Sequence, residues 1–209
     1  MAKSRDPFFQ ALDGIRARAR TSGYASGQPI VIIEEARRLG VSATPVREAL
    51  SWLCGEGLIE RGPSGGFLAA RQDAAAVRDR YGFRLICLLA GLELTAGLPA
   101  YGRAPRRERD AVSDLDRLFG ELVRRAGNGA LIDAYRRVEE QLSPFGAAER
   151  RVFPDLESEA ERLLILAEAE RNGALRDGLG VYHRRRSDAA ALLSLDVGRM
   201  HTDGEGRGS

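Results

Sequence analysis

The chain has 209 residues, 44% of them apolar and 30% charged, with a net charge of +2. That balance is ordinary for a folded, soluble protein of one large domain or two small ones. No run approaches the roughly 18 uncharged apolar residues of a membrane helix, and the first twenty residues lack the apolar stretch of a secretory signal. Two cysteines, Cys54 and Cys87, are too few for a disulfide framework, so a reducing, cytoplasmic location is expected. The charge is uneven: residues 1–72 hold 10 Lys+Arg against 7 Asp+Glu, and the remainder holds 22 against 23. A basic front end is compatible with nucleic acid.

In chain order, Phe8, Leu12, Ile15 and Ala19 predict a helix over 8–20, which "TSGYASGQP" breaks. "IVIIEEARRLG" predicts a short helix stopped by Gly40. Ser42 or Thr44 can cap the next helix, and Pro45 fits its first turn. Val46, Ala49, Leu50 and Leu53 recur at i, i+3, i+4 and i+7, which buries one face and leaves Arg47 and Ser51 on the other. Cys54, at the end of that helix, reads as packing. Leu58, Ile59, Phe67 and Leu68 flank "GPSGG" and predict a hairpin.

From Asp73 onward only helices are expected. Val77 to Ala96 form one long amphipathic face that ends before Pro99. Shorter faces follow around Val112–Val123, Leu131–Leu142, Leu156–Ala167 and Leu179–Leu193. The last residues, from 197 to 209, are poor in apolar side chains and are expected to be a flexible tail. The fold class is therefore mainly α: an N-terminal winged helix-turn-helix with a small β wing over 1–72, then an all-α helical bundle over 73–196.

A helix that follows a tight turn can enter the major groove, with its first residues aimed at bases and phosphates. Its free N–H groups and dipole favour phosphate. Ser42 and Thr44 suit phosphate. Arg47, one turn in, can reach phosphate or the O6 and N7 of guanine. The Ser64–Gly65–Gly66 turn lets a wing tip approach the DNA backbone closely. The layout by itself also fits a protein or RNA interaction module. No nucleophile motif, phosphate loop or H-E-x-x-H string is present, so no enzyme is expected.

"LGVSATPVREALSWLCGEGLIERGPSGGFLAA" resembles the DNA-binding domain of the GntR family of bacterial transcription regulators. The family string has LGVS, then Arg, TPVREAL, a short helix tail, EGL, and a wing rich in Gly and Arg. The resemblance spans about residues 30–70. It implies that Ser42, Ala43, Thr44, Pro45, Arg47, Ser51, Ser64, Gly65 and Gly66 form the DNA-binding surface. Ala43 is the departure, because relatives carry a base-reading Arg there. Alanine offers only a methyl contact, and one lost bidentate contact removes about 1–3 kcal/mol of discrimination.

The second half resembles, less closely, the FCD-type effector domain of the FadR branch. "YGFRLICLLAGLELTAG" matches its opening helix, with Arg84 at the usual arginine and Leu88 in place of the acidic residue four later. "DRLFGELVRRAGN" matches a later helix. Many members of that branch hold a divalent metal with one Asp and three His. Here those positions are Asp116, Gly120, Glu161 and His183. Two histidines are missing, so no metal or other cofactor is expected, although Asp116, Glu161 and His183 could hold a cation.

Arg84 and Arg186 are candidate anchors for a carboxylate effector, with Asp116, Glu161 and His183 completing the candidate effector site. The alternative for Arg84 is an ion pair with Glu93, Asp116 or Glu161. The runs "RAPRRER" at 103–109 and "HRRR" at 183–186 read as solvated helix faces. The resemblance thus implies a dimeric repressor whose binding to a palindromic double-stranded DNA operator responds to a small organic acid. The other reading is a DNA-binding regulator whose sensor domain has lost its ligand and serves only to dimerise.

Overall fold

The computed structural model describes residues 6–96, 110–169 and 172–205. Helix α1 (Pro7–Arg20) starts where Asp6 accepts a hydrogen bond from the Phe8 N–H. Helix α2 (Ile32–Leu39) stops at Gly40 in the left-handed region. Helix α3 (Ala43–Glu56) stops in the same way at Gly57. Strands β1 (Ile59–Arg61) and β2 (Phe67–Ala69) form an antiparallel hairpin in which Ile59 faces Ala69 and Arg61 faces Phe67. The Ile30 N–H donates to the Phe67 carbonyl, which ties the chain entering α2 to the hairpin.

Helix α4 (Ala74–Leu94) is capped by Asp73, α5 (Ala111–Arg124) by Asp110, and α6 (Gly129–Leu142) by Asn128. A 3-10 turn over Ser143–Phe145 leads into α7 (Gly146–Val152). Helices α8 (Leu156–Glu168), α9 (Asn172–Asp188) and α10 (Ala190–Glu205) follow. The chain is therefore mainly α, with a winged helix-turn-helix first and a helical bundle after it. Among the described residues no helix is long and apolar enough to cross a membrane.

The core is in separate pieces. Ile15 of α1, Val46, Leu50 and Leu53 of α3, and Ile59 and Phe67 of the hairpin close around one another. In the bundle, α4 is central. Leu88 and Leu92 pack with Phe119, Leu122 and Leu179, while Val77 and Tyr81 pack with Val138, Phe145, Leu193 and Val197. The two parts touch along α6 and the 3-10 turn after it: Arg20 of α1 pairs with Glu140, Gln141 donates to the Gly57 carbonyl, and Ser22 donates to the Pro144 carbonyl.

Two expectations are corrected. The stripe Leu179–Leu193 belongs to two helices, because the chain turns at Ala189. The flexible tail expected over 197–209 is helical as far as Glu205. Val197 continues the buried series Ala190, Leu193, Val197, and Asp196 pairs with Arg151 of α7, so this turn has an apolar face and an anchor. The basic run at 103–109 lies outside the described residues.

Glycine shapes the bundle at Gly91, where a Cβ would stand 2.8 Å from the Leu122 carbonyl oxygen of α5. The atoms it would meet are backbone of α5. Gly91→Ala should lower stability by about 1–3 kcal/mol through overpacking. At Gly120, mid-helix, a Cβ would meet nothing within 4 Å, and Gly120→Ala should add about 0.5–1 kcal/mol. Denaturant unfolding of the two variants checks both signs.

Candidate functional site

Two regions carry chemistry. In the first, α3 presents its N-terminus and outer face. Ser42 is the N-cap but makes no side-chain capping bond. The reason is local: the third helical residue is Pro45, which has no N–H to give. The Ser42 hydroxyl and the first helical N–H groups are thus left outward. Thr44 and Arg47 are exposed, and Ala43 and Pro45 are half-buried. The Arg47 guanidinium has no hydrogen-bond or ion-pair partner among the described residues.

Ser51 has a different task. Its hydroxyl donates to the Arg47 carbonyl at 2.9 Å and accepts from Arg61 of β1 at 3.1 Å. Arg61 also lies over the Phe67 ring, 4.5 Å from its centroid. Arg61 therefore locks the wing to α3, and it was not among the sequence candidates, although a basic residue opening the wing was visible. Ser64 is exposed at the wing tip beside Gly65 and Gly66, whose φ angles of 90° and 77° suit glycine.

The second region lies inside the bundle. Arg84 of α4 is 4% exposed and Arg186 of α9 is 0% exposed. The Arg84 Nε donates to His183 Nε2 at 3.1 Å, and its Nη1 donates to Glu139 of α6 at 3.2 Å. An arginine can only donate, so His183 Nε2 is the acceptor and Nδ1 carries the proton. That Nδ1–H donates to the Leu179 carbonyl at 2.8 Å. Burial, with Arg84 beside it, holds His183 well below the usual histidine range, so the ring is neutral.

Arg186 donates from Nε to Glu149 at 2.8 Å, and from Nη1 to Glu159 and the Tyr182 carbonyl, each at 3.0 Å. Its guanidinium stacks on the Tyr182 ring. Tyr81 donates to the other oxygen of Glu149. Burial opposes both cations, but the surrounding anions outweigh it and keep both guanidiniums charged.

A cavity of about 150 Å³ opens against this network, with Arg84, Asp116, Glu139, Glu149 and Tyr182 in its walls. Arg84 Nη2 is buried and has no hydrogen-bond partner. Asp116 reaches solvent at the mouth, yet the protein around its carboxyl and the nearby Glu139 push it up to about 6. A larger groove, about 870 Å³, separates α1 and α3 from α6. Its walls mix engaged surface charges, as in Arg16–Glu56 and Arg20–Glu140, with side chains such as Phe83 and Tyr135.

The sequence expectations fare unequally here. Arg84, Asp116, His183 and Arg186 belong to one neighbourhood. Glu161 does not, being exposed on the outer face of α8. The partner of Arg84 is Glu139, not Glu93, Asp116 or Glu161; Glu93 pairs with Arg176. The run 183–186 is no solvated face, since His183 and Arg186 are buried and only Arg184 is fully outward. Helical spacing decides this: 179, 182, 183 and 186 share the side of α9 that meets α4.

Glu139, Glu149 and Glu159 were missed. A signal existed for two of them, because Glu139 falls in the stripe Tyr135–Val138–Leu142 and Glu159 in the stripe Leu156–Ala160–Leu163. An acid on a buried stripe calls for a cation. The metal set of the resembling branch does not fit these residues. Gly120 has no ligand atom, Glu161 points away, and the one free nitrogen lone pair of His183 is taken by Arg84. Among the described residues no group of three His, Cys, Asp or Glu stands close enough to hold a metal ion.

No protein-family model and no curated protein matches the chain. Solved structures do match it. A protein from Rhodococcus sp. RHA1 assigned as a GntR transcriptional regulator aligns with TM-score 0.65 and 17% identity, covering 89% of this chain and 96% of that one. McbR (YncC) of E. coli aligns with TM-score 0.58 and 16% identity over 90% of this chain and 98% of its own. Lar, which controls expression of the Listeria monocytogenes agr system, aligns with TM-score 0.56 and 16% identity over the same shares, 90% and 98%. At these identities the likeness is one of fold.

The raised Asp116 carboxyl predicts a pH-dependent stability. An unfolded aspartate titrates near about 3.9, so below that value the group is neutral in both states and costs nothing. Above about 6 it is ionised in both, and the folded state bears the whole penalty. Asp116→Asn should therefore raise the melting temperature at pH 7.5, with the gain shrinking toward zero by pH 4. Thermal melts of both proteins across that range test the sign.

Proposed function

We propose that this protein is a GntR-type, sequence-specific DNA-binding transcription regulator: a homodimeric repressor that reads a palindromic operator and responds to a small organic acid. Residues 1–72 act as the DNA-binding unit, and residues 73–196 as the effector-binding and dimerising unit. The observation that carries the DNA reading is the end of α3. Ser42, Thr44 and an unpartnered Arg47 face outward beside a glycine-tipped wing that Arg61 holds against the same helix. Fold likeness to a solved protein assigned as a GntR transcriptional regulator supports it. No catalytic role is proposed for any residue.

The effector reading is supported by Arg84, whose buried Nη2 lacks an acceptor in the wall of a cavity. A carboxylate there would satisfy it. A sensor that only dimerises is favoured by the lost metal positions at Gly120 and Glu161. A screen of organic acids for thermal stabilisation separates the two, since a bound ligand raises the melting temperature with its concentration and an empty sensor responds to none.

For DNA, in vitro selection of bound sequences should yield two half-sites related by a dyad. Arg47→Ala should weaken operator binding about tenfold or more if Arg47 reads a base, since a base contact contributes about 1–3 kcal/mol. Ala43→Arg should change the preferred base at one position in each half-site. Unchanged preference would show that position 43 does not read the operator. No enrichment of any DNA at low salt would end the regulator reading.

The dimer face we assign is the outer stripe of α4. Phe83, Ile86, Ala90 and Leu94 recur at i, i+3, i+7 and i+11, and Phe83, Ile86 and Leu94 are exposed. Contiguous exposed apolar surface marks a contact site. Ile86→Glu should give a monomer in light scattering with an unchanged circular dichroism spectrum, and should weaken binding to the full operator far more than to a half-site.

A further inference from the structure

The cavity beside Arg84 asks for two opposite charges at once. At its base, Arg84 is 5% exposed along its side chain and spends Nε on His183 and Nη1 on Glu139. Its Nη2 is left without an acceptor. A buried guanidinium N–H left unpaired has lost its hydration with nothing in return, so the site favours an anionic acceptor. At its mouth, Asp116 has no hydrogen-bond or ion-pair partner among the described residues, and it faces the same space as Glu139 and Glu149. Glu149 is already committed to Tyr81 and Arg186. The other cation of the lining, Arg150, is committed to Asp110 and Glu157, so Asp116 is an acid with no cation paired to it.

A simple carboxylate would satisfy Arg84 but would bring a third negative charge beside Asp116 and Glu139. A simple amine would satisfy Asp116 and leave Arg84 unpaired. A molecule with a carboxylate at one end and an ammonium at the other meets both demands and adds no net charge. Size narrows it further. The cavity measures about 150 Å³, the volume of an engineered cavity that admits benzene, a ligand of about six heavy atoms. We infer that the effector cavity binds a small zwitterionic amino acid, its carboxylate on Arg84 and its ammonium on Asp116. This rests on the reading of the cavity as an effector site and names the ligand class for it.

The test uses the full-length protein and calorimetric titration at pH 7.5. Three zwitterions of increasing charge separation, L-alanine, β-alanine and 4-aminobutyrate, are compared with propionate and propylamine. At least one zwitterion should bind tenfold or more tightly than both single-charge analogues. Asp116→Asn, a change at the solvent-facing mouth, should remove that preference while propionate binds as well or better, with the circular dichroism spectrum unchanged. Propionate matching the best zwitterion, or a preference that survives in Asp116→Asn, overturns the inference while leaving an organic-acid effector in place. Silence from all five compounds overturns it as well. Silence from the wider organic-acid screen in addition removes the effector reading itself.

Discussion

A guanidinium can be buried only if anions and acceptors come with it, and this bundle buries two. Arg186 is fully enclosed and draws Glu149 from α7 and Glu159 from α8 to α9. Arg84 draws Glu139 from α6 and His183 from α9 to α4. Between them the two cations register five helices. Apolar packing closes these helices, but leucine against leucine tolerates sliding, whereas a hydrogen-bonded charge does not. Deleting one partner of such a buried pair costs about 3–5 kcal/mol, so the polar network and the packing stand or fall together.

The same network determines what the site can be. With His183 neutral and its remaining lone pair occupied, this site has no imidazole to offer a metal among the described residues. What remains in its place is a cation with one unused donor and a cavity with acid at the mouth. Helix α6 joins that cavity to the other half of the molecule. Glu139 faces Arg84, and the next residue, Glu140, pairs with Arg20 of α1. A rigid helix that bears both contacts cannot shift at one without shifting at the other.

Local rules made the front half legible. The glycine stops at Gly40 and Gly57, the buried stripe Val46–Leu53 and the Pro/Gly hairpin turn are each decided within a few residues, and each was found where the spacing put it. The bundle helices α4, α5, α6 and α8 were legible for the same reason, whereas α9 and α10 were read as one stripe. The candidate effector residues were only partly so. Arg84, Asp116 and His183 came from resemblance and Arg186 from its place beside His183, while Glu139, Glu149 and Glu159, the acids that hold the two arginines, were not anticipated. Glu161 was misplaced because its neighbours on α8, not its own identity, decide which way it faces. The tail was misjudged from composition, because a single buried Val197 and the Arg151–Asp196 pair suffice to extend the helix.

By itself, then, the sequence determined the order and type of the elements, the winged helix-turn-helix and the exposed end of α3 with Ala43 where an arginine is usual. Those follow from periodicity, caps and turns, which are short-range. Only the tertiary structure decided that Glu139 rather than Asp116 balances Arg84, that His183 is spent on an arginine, and that Arg61 binds Ser51. Each of these pairs residues on different elements, ten to about a hundred positions apart, and no local pattern encodes which partner a buried charge will find.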